Sequence, residues 1–506
     1  MAHGPYESVP LWAADESEPL VPLTEDCRTD VCIVGAGIAG LSVAYHLARA
    51  GKSVAVLDSG LVGSGETGRS TAHIASALDD RYGELMRLLG EDNARLAADS
   101  HSAAIDTIEA IVTEAGIACG FQRVDGWLFS PPGESSEVLR REAEAARACG
   151  LAGLELVSRA PLSGFDTGPA LRFPGQAQFD PLRYVRGLAN CVRHLGGRIH
   201  TGAHVVTVDG GRHARVRTVQ GYHVMAQAIV IATNVPINDK VAIHAKQEAN
   251  RTYVIAAPVP KGAVPAGLYW DTEDPYHYVR LDDPEAEHPL LIIGGEDHRT
   301  GHPAEPVERY ARLEHWARAR FPAMGEVRRR WSGQIIEPAD RLAFIGRNPM
   351  DENNIFIVTG DSGNGITHGT IAGLLLTDLI LGRPNRWTEL YEPSRITLGA
   401  VPDYADTNLH VAEHYAAWLT GGDVEDVGQI PPDSGAILRE GLKKVAVYRD
   451  EAGVLHKRSA VCTHLKCLVT WNDAEKTWDC PCHGSRYDRF GRVVNGPAIS
   501  GLHGIE

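Results

Sequence analysis

A glycine-rich strand–turn–helix segment near the N-terminus most constrains how this chain of 506 residues can fold. The apolar run DVCIV leads into Gly35-Ala36-Gly37-Ile38-Ala39-Gly40, a helical pattern follows, and a second apolar run ends at Asp58. Glycines at this spacing permit a tight turn, a close backbone approach to a pyrophosphate and close helix–strand packing. The segment therefore predicts a dinucleotide-binding α/β unit in which Asp58 accepts hydrogen bonds from a ribose hydroxyl.

Two further glycine-rich segments bear on which dinucleotide binds. One is GSGETGRSTAHIAS (residues 63–76), and the other is the late strand–turn–helix pattern VTGDSGNGITHGTIAG. With the first glycine turn, they resemble the D-amino-acid-oxidase-like family of FAD-dependent amine and amino-acid oxidoreductases over about residues 30–400. The resemblance implies FAD, with the late turn beside the flavin ring. The predicted cofactor-binding set then adds Ser59, Arg69, Ser70, Thr71, His73, Val205, Gly360, Asp361, Gly363, Asn364, Gly365, Ile366 and Thr367.

His73 is a candidate site for covalent attachment of the flavin. In the sarcosine- and dimethylglycine-dehydrogenase branch of the family, a histidine in a similar Ser-Thr-x-His run bonds covalently to the flavin. His73 stands at the matching position in STAH. The alternative interpretation is that His73 only lines the flavin pocket.

The segment DPYHYVRLDD is the candidate substrate strand. Strand alternation places Tyr276, Tyr278 and Arg280 on one face, and Arg280 could hold a carboxylate through two parallel hydrogen bonds. These three residues are the candidate catalytic residues. A solvent-facing strand or two core tyrosines would explain the same pattern. The sequence shows no second dinucleotide motif, so we expect hydride to come from an organic substrate.

A cysteine–histidine cluster near the C-terminus predicts a different chemistry. Cys462-Thr-His464 is followed, after 15 residues, by Cys480-Pro-Cys482-His483. The pattern resembles the Rieske [2Fe–2S] domain over about residues 424–506, which implies that Cys462 and Cys480 bind one iron and His464 and His483 the other. A zinc site can use the same ligand types, but the additional Rieske-like features of CTHLKC and CPCHGSRYD favour iron–sulfur.

The resemblance to the respiratory-complex type of Rieske domain implies three further features. Cys467 and Cys482 match its disulfide, and Gly496-Pro497-Ala498 resembles the loop that covers the cluster. Ser485 and Tyr487 match residues that hydrogen-bond the cluster sulfurs. Such hydrogen bonds favour the reduced cluster, so we expect a potential in the upper part of the Rieske range of about −150 to +300 mV.

The pattern along the chain predicts an α/β fold followed by a small all-β domain. The expected divisions are an N-terminal extension (1–28), an FAD-dependent oxidoreductase with an interleaved α+β substrate subdomain (29–395), a linker (396–423) and a Rieske domain (424–506). A short helical pattern in the linker places His410 and His414 on one face. We interpret these two as surface histidines and expect no mononuclear metal site there.

Charge and hydropathy exclude several partners. The chain has 49 Lys and Arg against 65 Asp and Glu, a net charge of −16, which predicts no binding to nucleic acid or to an anionic membrane surface. No run of about 18 apolar residues predicts a membrane span. Its first residues lack a basic region followed by an apolar core, so we expect a cytoplasmic protein. The oligomeric state stays open.

The two cofactors together predict a dehydrogenase that oxidises a small amine, imino acid or N-methylated compound and passes electrons through the Rieske cluster. An external electron acceptor or donor protein is an expected partner. Two alternatives remain: a reductase in which an external donor feeds the cluster and then the flavin, and a redox carrier or sensor without its own substrate. A cavity lined by Arg280 and aromatic side chains would favour the dehydrogenase, and a closed flavin face the carrier.

Overall fold

The computed structural model describes residues 8–13, 19–131, 133, 135–238, 242–301, 306–416, 418 and 420–505. We call residues 420–505 the C-terminal unit and the described residues before 400 the N-terminal unit. At the centre of the N-terminal unit is a six-stranded sheet in which five strands are parallel and the edge strand Phe344–Arg347 is antiparallel. Its order is Phe344–Arg347, Ile355–Thr359, Ala228–Ile231, Val31–Val34, Val54–Leu57 and Arg198–His200.

Apolar side chains cover both faces of this sheet, as parallel strands require. One face packs against helices Ile38–Arg49, Glu91–Ala115, Pro181–His194 and Gly365–Ile380. The other face packs against a small sheet of strands Cys27–Arg28, His223–Met225, Arg215–Thr218 and Val205–Asp209. The carboxyl ends of the central strands are left at one edge, where ligands of doubly wound folds bind.

A nine-stranded mixed sheet forms the second layer of the N-terminal unit. Its order is Arg329–Pro338, Gln247–Pro258, Leu290–Arg299, His277–Leu281, Leu268–Asp271, Gln122–Phe129, Ala170–Gln178 and His73–Ile74, with Glu155–Val157 paired to Ala170–Gln178. Helices Tyr82–Leu89, Glu137–Ala148 and Pro306–Arg320 belong to this layer. The short strand His73–Ile74 directly follows the loop at 63–72, so it ties this sheet to the glycine-rich edge of the first.

The C-terminal unit is built from two antiparallel sheets. One contains Ser434–Glu440, Lys443–Arg449 and Leu455–Ser459, and the other Thr470–Asn472, Thr477–Asp479, Arg486–Asp488 and Val493–Asn495. The predicted fold class, α/β followed by a small all-β part, is confirmed. Short 3-10 helices span Leu11–Ala13, Glu66–Arg69, Gly211–His213, His244–Lys246, Leu398–Ala400 and Val427–Gln429.

The connecting segment is a helix packed on both units. After the short helix Thr388–Tyr391, helix Val401–Ala416 begins before the helical pattern at 408. Asn408 Nδ2 donates to the Ala245 carbonyl at 2.9 Å, and the Tyr415 hydroxyl donates to the Leu465 carbonyl in the C-terminal unit. Residues 417 and 419 of the predicted linker lie outside the described residues.

The start of the chain also packs on the N-terminal unit. Trp12 Nε1 donates to the Ser70 carbonyl at 2.8 Å, and Cys27–Arg28 pairs with His223–Met225. Residues 1–7 and 14–18 of the predicted extension lie outside the described residues. Within the described ranges, no helix combines the length and apolarity that crossing a membrane requires.

Candidate active site and iron–sulfur centre

The first glycine turn is held by backbone packing and by one carboxylate. Gly35 has φ +112°, and a Cβ at this position would lie 2.3 Å from the Ala232 carbonyl oxygen. Asp58 Oδ2 accepts from the Ala36 N–H at 2.6 Å, while its Oδ1 accepts from the Gly60 N–H at 2.7 Å. Burial raises the pKa of Asp58, and these two amide hydrogen bonds oppose that rise. Asp58 therefore shapes the turn as well as facing the cavity beside it.

A cavity of about 640 Å³ opens at this turn, a volume typical of cofactor and small-molecule sites. Segments far apart in sequence converge on it. Its lining includes these residues of the predicted cofactor-binding set: Gly35, Gly37, Ile38, Ala39, Asp58, Ser59, Arg69, Ser70, Thr71, His73, Val205, Gly360, Asp361, Gly363, Asn364, Gly365 and Ile366. These two features fit FAD: the cavity has a suitable size, and the turn beside it has room only for glycine.

Three residues of the predicted set, Ala36, Gly40 and Thr367, do not line the cavity. They support the two turns from behind: the Ala36 N–H is bonded to Asp58, and a Cβ at Gly40 would lie 2.0 Å from the Gly35 carbonyl oxygen. The Thr367 hydroxyl donates to the Asn364 carbonyl at 3.1 Å. Motif membership therefore does not by itself place a residue at the cavity surface.

Tyr276 and Tyr278 line the cavity, but Arg280 does not. Arg280 is fully buried, and its guanidinium donates to the carbonyls of Thr71, Phe179 and Leu281. The expectation that Arg280 holds a substrate carboxylate therefore does not fit this structure. Alternation determines which face of a strand a side chain occupies, but the cavity ends before Arg280 along that face.

A carboxylate that belongs to none of the sequence motifs lies at the late glycine turn. A Cβ at Gly363 would lie only 2.0 Å from Asp79 Oδ2, so the carboxylate sits directly against this turn. The Tyr276 hydroxyl donates to the same oxygen at 3.4 Å. Burial raises the pKa of Asp79 to about 6. No spacing signal connects Asp79 to the turn, because the two segments are about 280 residues apart.

His73 directly follows the loop at 63–72 and lies close to Tyr278 and Trp270. Its Nδ1 is 3.1 Å from the Thr71 hydroxyl, and its ring centroid is 5.5 Å from that of Tyr278 and 5.7 Å from that of Trp270. Burial lowers the pKa of His73 to about 3, so the imidazole is neutral at physiological pH. Its Nε2 makes no hydrogen bond to any described residue. Covalent attachment of flavin through His73 stays a hypothesis beside the lining role.

The predicted cluster ligands come together in the C-terminal unit. The His464 and His483 ring centroids are 5.2 Å apart, and Cys462 and Cys480 share a hydrogen bond. That bond is the main reason why the pKa of Cys462 falls below its usual value, and a hydrogen bond with the Tyr487 hydroxyl at 3.1 Å adds to the fall. Two thiols and two imidazoles brought together in this way are the donor set that a Rieske [2Fe–2S] cluster requires.

The residues around these ligands also lie as the Rieske resemblance implies. Cys467 and Cys482 form a disulfide. The Ser485 hydroxyl is hydrogen-bonded to Cys462 and accepts from the Ala498 N–H at 3.1 Å, so the loop at 496–498 is attached to the ligand loop.

On the connecting helix Val401–Ala416, His410 Nε2 is 3.4 Å from Asp406, and among the described residues no group of three metal-ligating side chains lies on that helix.

The cluster loops pack against the N-terminal unit. The buried His244 ring lies 4.7 Å from the His464 ring and 5.1 Å from the His483 ring, measured between centroids. Gln334 Nε2 donates to the Gly484 carbonyl at 2.8 Å, and Gln334 also lines the flavin cavity. A single side chain therefore contacts both the cluster loop and the cavity.

The C-terminal unit also forms part of the cavity wall, through Val493, Val494, Asn495, Gly496, Ala498 and Ile499. Asn495 Nδ2 donates to Glu66 Oε1 at 2.7 Å, and His204 Nε2 is 2.7 Å from the Ile499 carbonyl oxygen. Sequence reasoning missed this contact, because no local pattern reports pairing between segments some 300 to 430 residues apart. The flavin cavity is complete only when the two units are in contact.

This fold and these two sites define an oxidoreductase with an FAD site and a Rieske centre. The family model for FAD dependent oxidoreductases matches residues 30–379, and the Rieske [2Fe-2S] domain model matches residues 418–506. The chain belongs to the FAD-dependent oxidoreductase family and carries a C-terminal Rieske domain. FAD and a [2Fe–2S] cluster are its cofactors.

Some known proteins resemble the whole chain and others its larger part. The Rieske 2Fe-2S iron-sulfur protein YhfW of Bacillus subtilis is 32% identical over 502 residues, which cover 98% of this chain and 97% of that protein. Gamma-glutamylputrescine oxidoreductase of Escherichia coli is 27% identical over 390 residues, covering 74% of this chain and 89% of that enzyme. The fold is similar to that of glycine oxidase from Geobacillus kaustophilus, with a TM-score of 0.61, 19% identity, and coverage of 73% and 99%.

Proposed function

We propose that this protein is a dehydrogenase that oxidises a small amine, imino acid or N-methylated compound and passes the electrons through its Rieske centre. Oxidation of a CH–NH unit to C=N removes one hydride and one proton. When bound, FAD would accept the hydride, and the [2Fe–2S] cluster would accept single electrons. Similarity to gamma-glutamylputrescine oxidoreductase supports a nitrogen-containing donor.

The observation that carries this proposal is the packing of the cluster loop on the cavity wall. Strands Gln247–Pro258 and Arg329–Pro338 supply Thr252 and Gln334 to the cavity. On the same strands, Gln334 donates to Gly484, and a Cβ at Gly484 would lie 2.5 Å from the Ala249 Cβ. We infer that these strands position the two cofactor sites for electron transfer within one chain.

The packing of the cluster histidines supports electron transfer between the flavin side and the cluster within one chain. His464 and His483 face His244 of the chain's own N-terminal unit. In the proposed function the cluster receives electrons from the flavin side, and an external electron-acceptor protein then oxidises it. A cluster fed by an external donor is the alternative that the experiment must distinguish.

An anaerobic reduction experiment tests the proposal. Amines and imino acids are added to protein loaded with FAD and the iron–sulfur cluster, while flavin absorbance and the electron paramagnetic resonance signal of the reduced cluster are followed. We expect flavin bleaching and then the reduced-Rieske signal. In Cys462→Ser, which lacks a cluster ligand, bleaching should persist without that signal.

The control variant is Cys191→Ser, which changes a partly buried cysteine outside both sites and should behave as the parent protein. Silence with every amine, together with reduction of the cluster by an external donor protein, would contradict the proposed direction.

A further inference from the structure

The part of the flavin cavity next to the late glycine turn is lined by aromatic rings and by the Asp79 carboxylate. Trp270, Tyr276 and Tyr278 line the cavity wall close to Asp79, with the Tyr276 and Tyr278 ring centroids 5.7 Å apart. The Tyr276 hydroxyl contacts Asp79, and the Tyr278 hydroxyl is 2.8 Å from the Thr252 hydroxyl. Aromatic faces and a carboxylate are the groups that recognise an alkylammonium ion.

Positive side chains that could hold a substrate carboxylate are scarce here. Among the described residues that line the cavity, Arg69 is the one arginine, and lysine is absent. Arg69 already donates to the Ser8 hydroxyl and to the Ser332 carbonyl, each at 2.9 Å. The Arg280 guanidinium donates its hydrogen bonds to backbone carbonyls. The cavity is therefore poorly equipped for the carboxylate of an amino acid.

Charged groups of both signs surround Asp79. Arg81 faces Asp79 from an adjoining cavity, whereas Glu337 and Asp361 add negative charge. Burial raises the pKa of Asp361 to about 7 and that of Glu337 to about 7, so these carboxylates are partly protonated near neutral pH. A bound cation would lower the cost of keeping this group of carboxylates ionised.

We propose that the substrate is an alkylamine held as a cation by Asp79 and the rings of Trp270, Tyr276 and Tyr278, with no carboxylate next to the reacting carbon. This inference rests on the proposed function and narrows its substrate class. Asp79 and the aromatic rings bind and orient the ammonium group beside the late glycine turn. In the reaction, the substrate nitrogen passes one proton to the Asp79 carboxylate, and the reacting carbon loses its hydride, which FAD would accept when bound, so that the C–N bond becomes C=N.

A binding experiment with a non-reacting probe tests the cation site directly. FAD-loaded protein is titrated with tetramethylammonium chloride and, separately, with sodium acetate, and the flavin absorbance difference is recorded. We expect saturable binding of tetramethylammonium and none of acetate. Because the attraction between the cation and the carboxylate is lost, Asp79→Asn should raise the Kd for tetramethylammonium about tenfold or more.

Three further variants separate a binding role from a structural one. Asp80→Asn changes the neighbouring carboxylate, which bonds Ser362 and does not line the cavity, so the Kd should stay within about twofold. Tyr276→Phe keeps the ring but removes the hydroxyl that donates to Asp79, so it should weaken binding of the probe less than Tyr276→Leu does. Tyr276→Leu removes the ring and should weaken binding about fivefold.

Matched substrate pairs then test the substrate class. Flavin reduction is compared for putrescine against ornithine and for dimethylamine against sarcosine, where each pair differs by one carboxylate. We expect the amine without the carboxylate to reduce the flavin faster. An amino acid that reduces it as fast as its partner, or an unchanged Kd in Asp79→Asn, would overturn the inference. If no compound reduces the flavin, the proposed function fails, while the tetramethylammonium titration still decides the cation site.

Discussion

Replacing Glu475 with glutamine would test what holds the two units together. Glu475 lies in the turn between strands Thr470–Asn472 and Thr477–Asp479, and its side chain is 3% exposed. Its Oε2 is 2.7 Å from Arg251 Nη2 in the N-terminal unit and 2.6 Å from Arg486 Nη2. Burial alone would raise the pKa of Glu475, but nearby arginines outweigh burial and hold this pKa far below its usual range.

The structure gives the size of the expected loss. In Glu475→Gln, Arg486 keeps its ion pair with Asp479 at 3.0 Å, but the fully buried Arg251 loses the carboxylate that compensates its charge. Removing one partner of a buried ion pair costs about 3–5 kcal/mol. A loss of that size would shift the equilibrium between docked and separated units roughly 100- to 4,000-fold.

Urea unfolding and limited trypsin cleavage of the segment at 396–423 measure this loss. The matched control is Glu440→Gln, whose pair with Lys457 is exposed at both ends and should contribute at most about 1 kcal/mol. Adding Arg251→Met to Glu475→Gln removes the uncompensated charge and should recover part of the stability. A Glu475→Gln protein within about 1 kcal/mol of the parent would refute the reasoning.

Four further expectations follow from the same structure. Because the folded-state pKa of Glu475 is depressed, its stabilisation is present above a pH of about 4.3 and is lost as the pH falls further, so acid should reduce the unfolding free energy more in the parent than in Glu475→Gln. Tyr487→Phe removes the hydrogen bond to Cys462 and should lower the cluster potential by about 60 mV in a redox titration, whereas an unchanged potential would contradict that role. The unfolded, cluster-free and unreduced protein should show seven thiols, and nine would disprove a persistent disulfide. If His73 only lines the cavity, which is the interpretation we favour, acid precipitation should release the flavin, and a coloured pellet would indicate a covalent bond.

Residues selected from short motifs are those whose chemistry depends on near neighbours in the chain. The turn at Gly35–Gly40 needs glycine for local backbone reasons, and each half of the Cys–His cluster places its ligands within three residues of one another. Such local constraints predicted a dinucleotide site and a metal site, and the family resemblances of the same segments implied FAD, the [2Fe–2S] cluster and the fold class before the structure was known. The disulfide between Cys467 and Cys482 was implied in the same way by the Rieske resemblance.

Tertiary structure alone decided what lies across the cavity. It placed Asp79 against Gly363, brought Gln334 between the cavity and the cluster loop, and left Arg280 bonded to backbone carbonyls. These contacts join segments tens to hundreds of residues apart, and they depend on how two sheets and two units pack. Sequence periodicity reports the face of a strand or helix, whereas the position of a cavity along that face is set by packing between elements, which no local pattern contains.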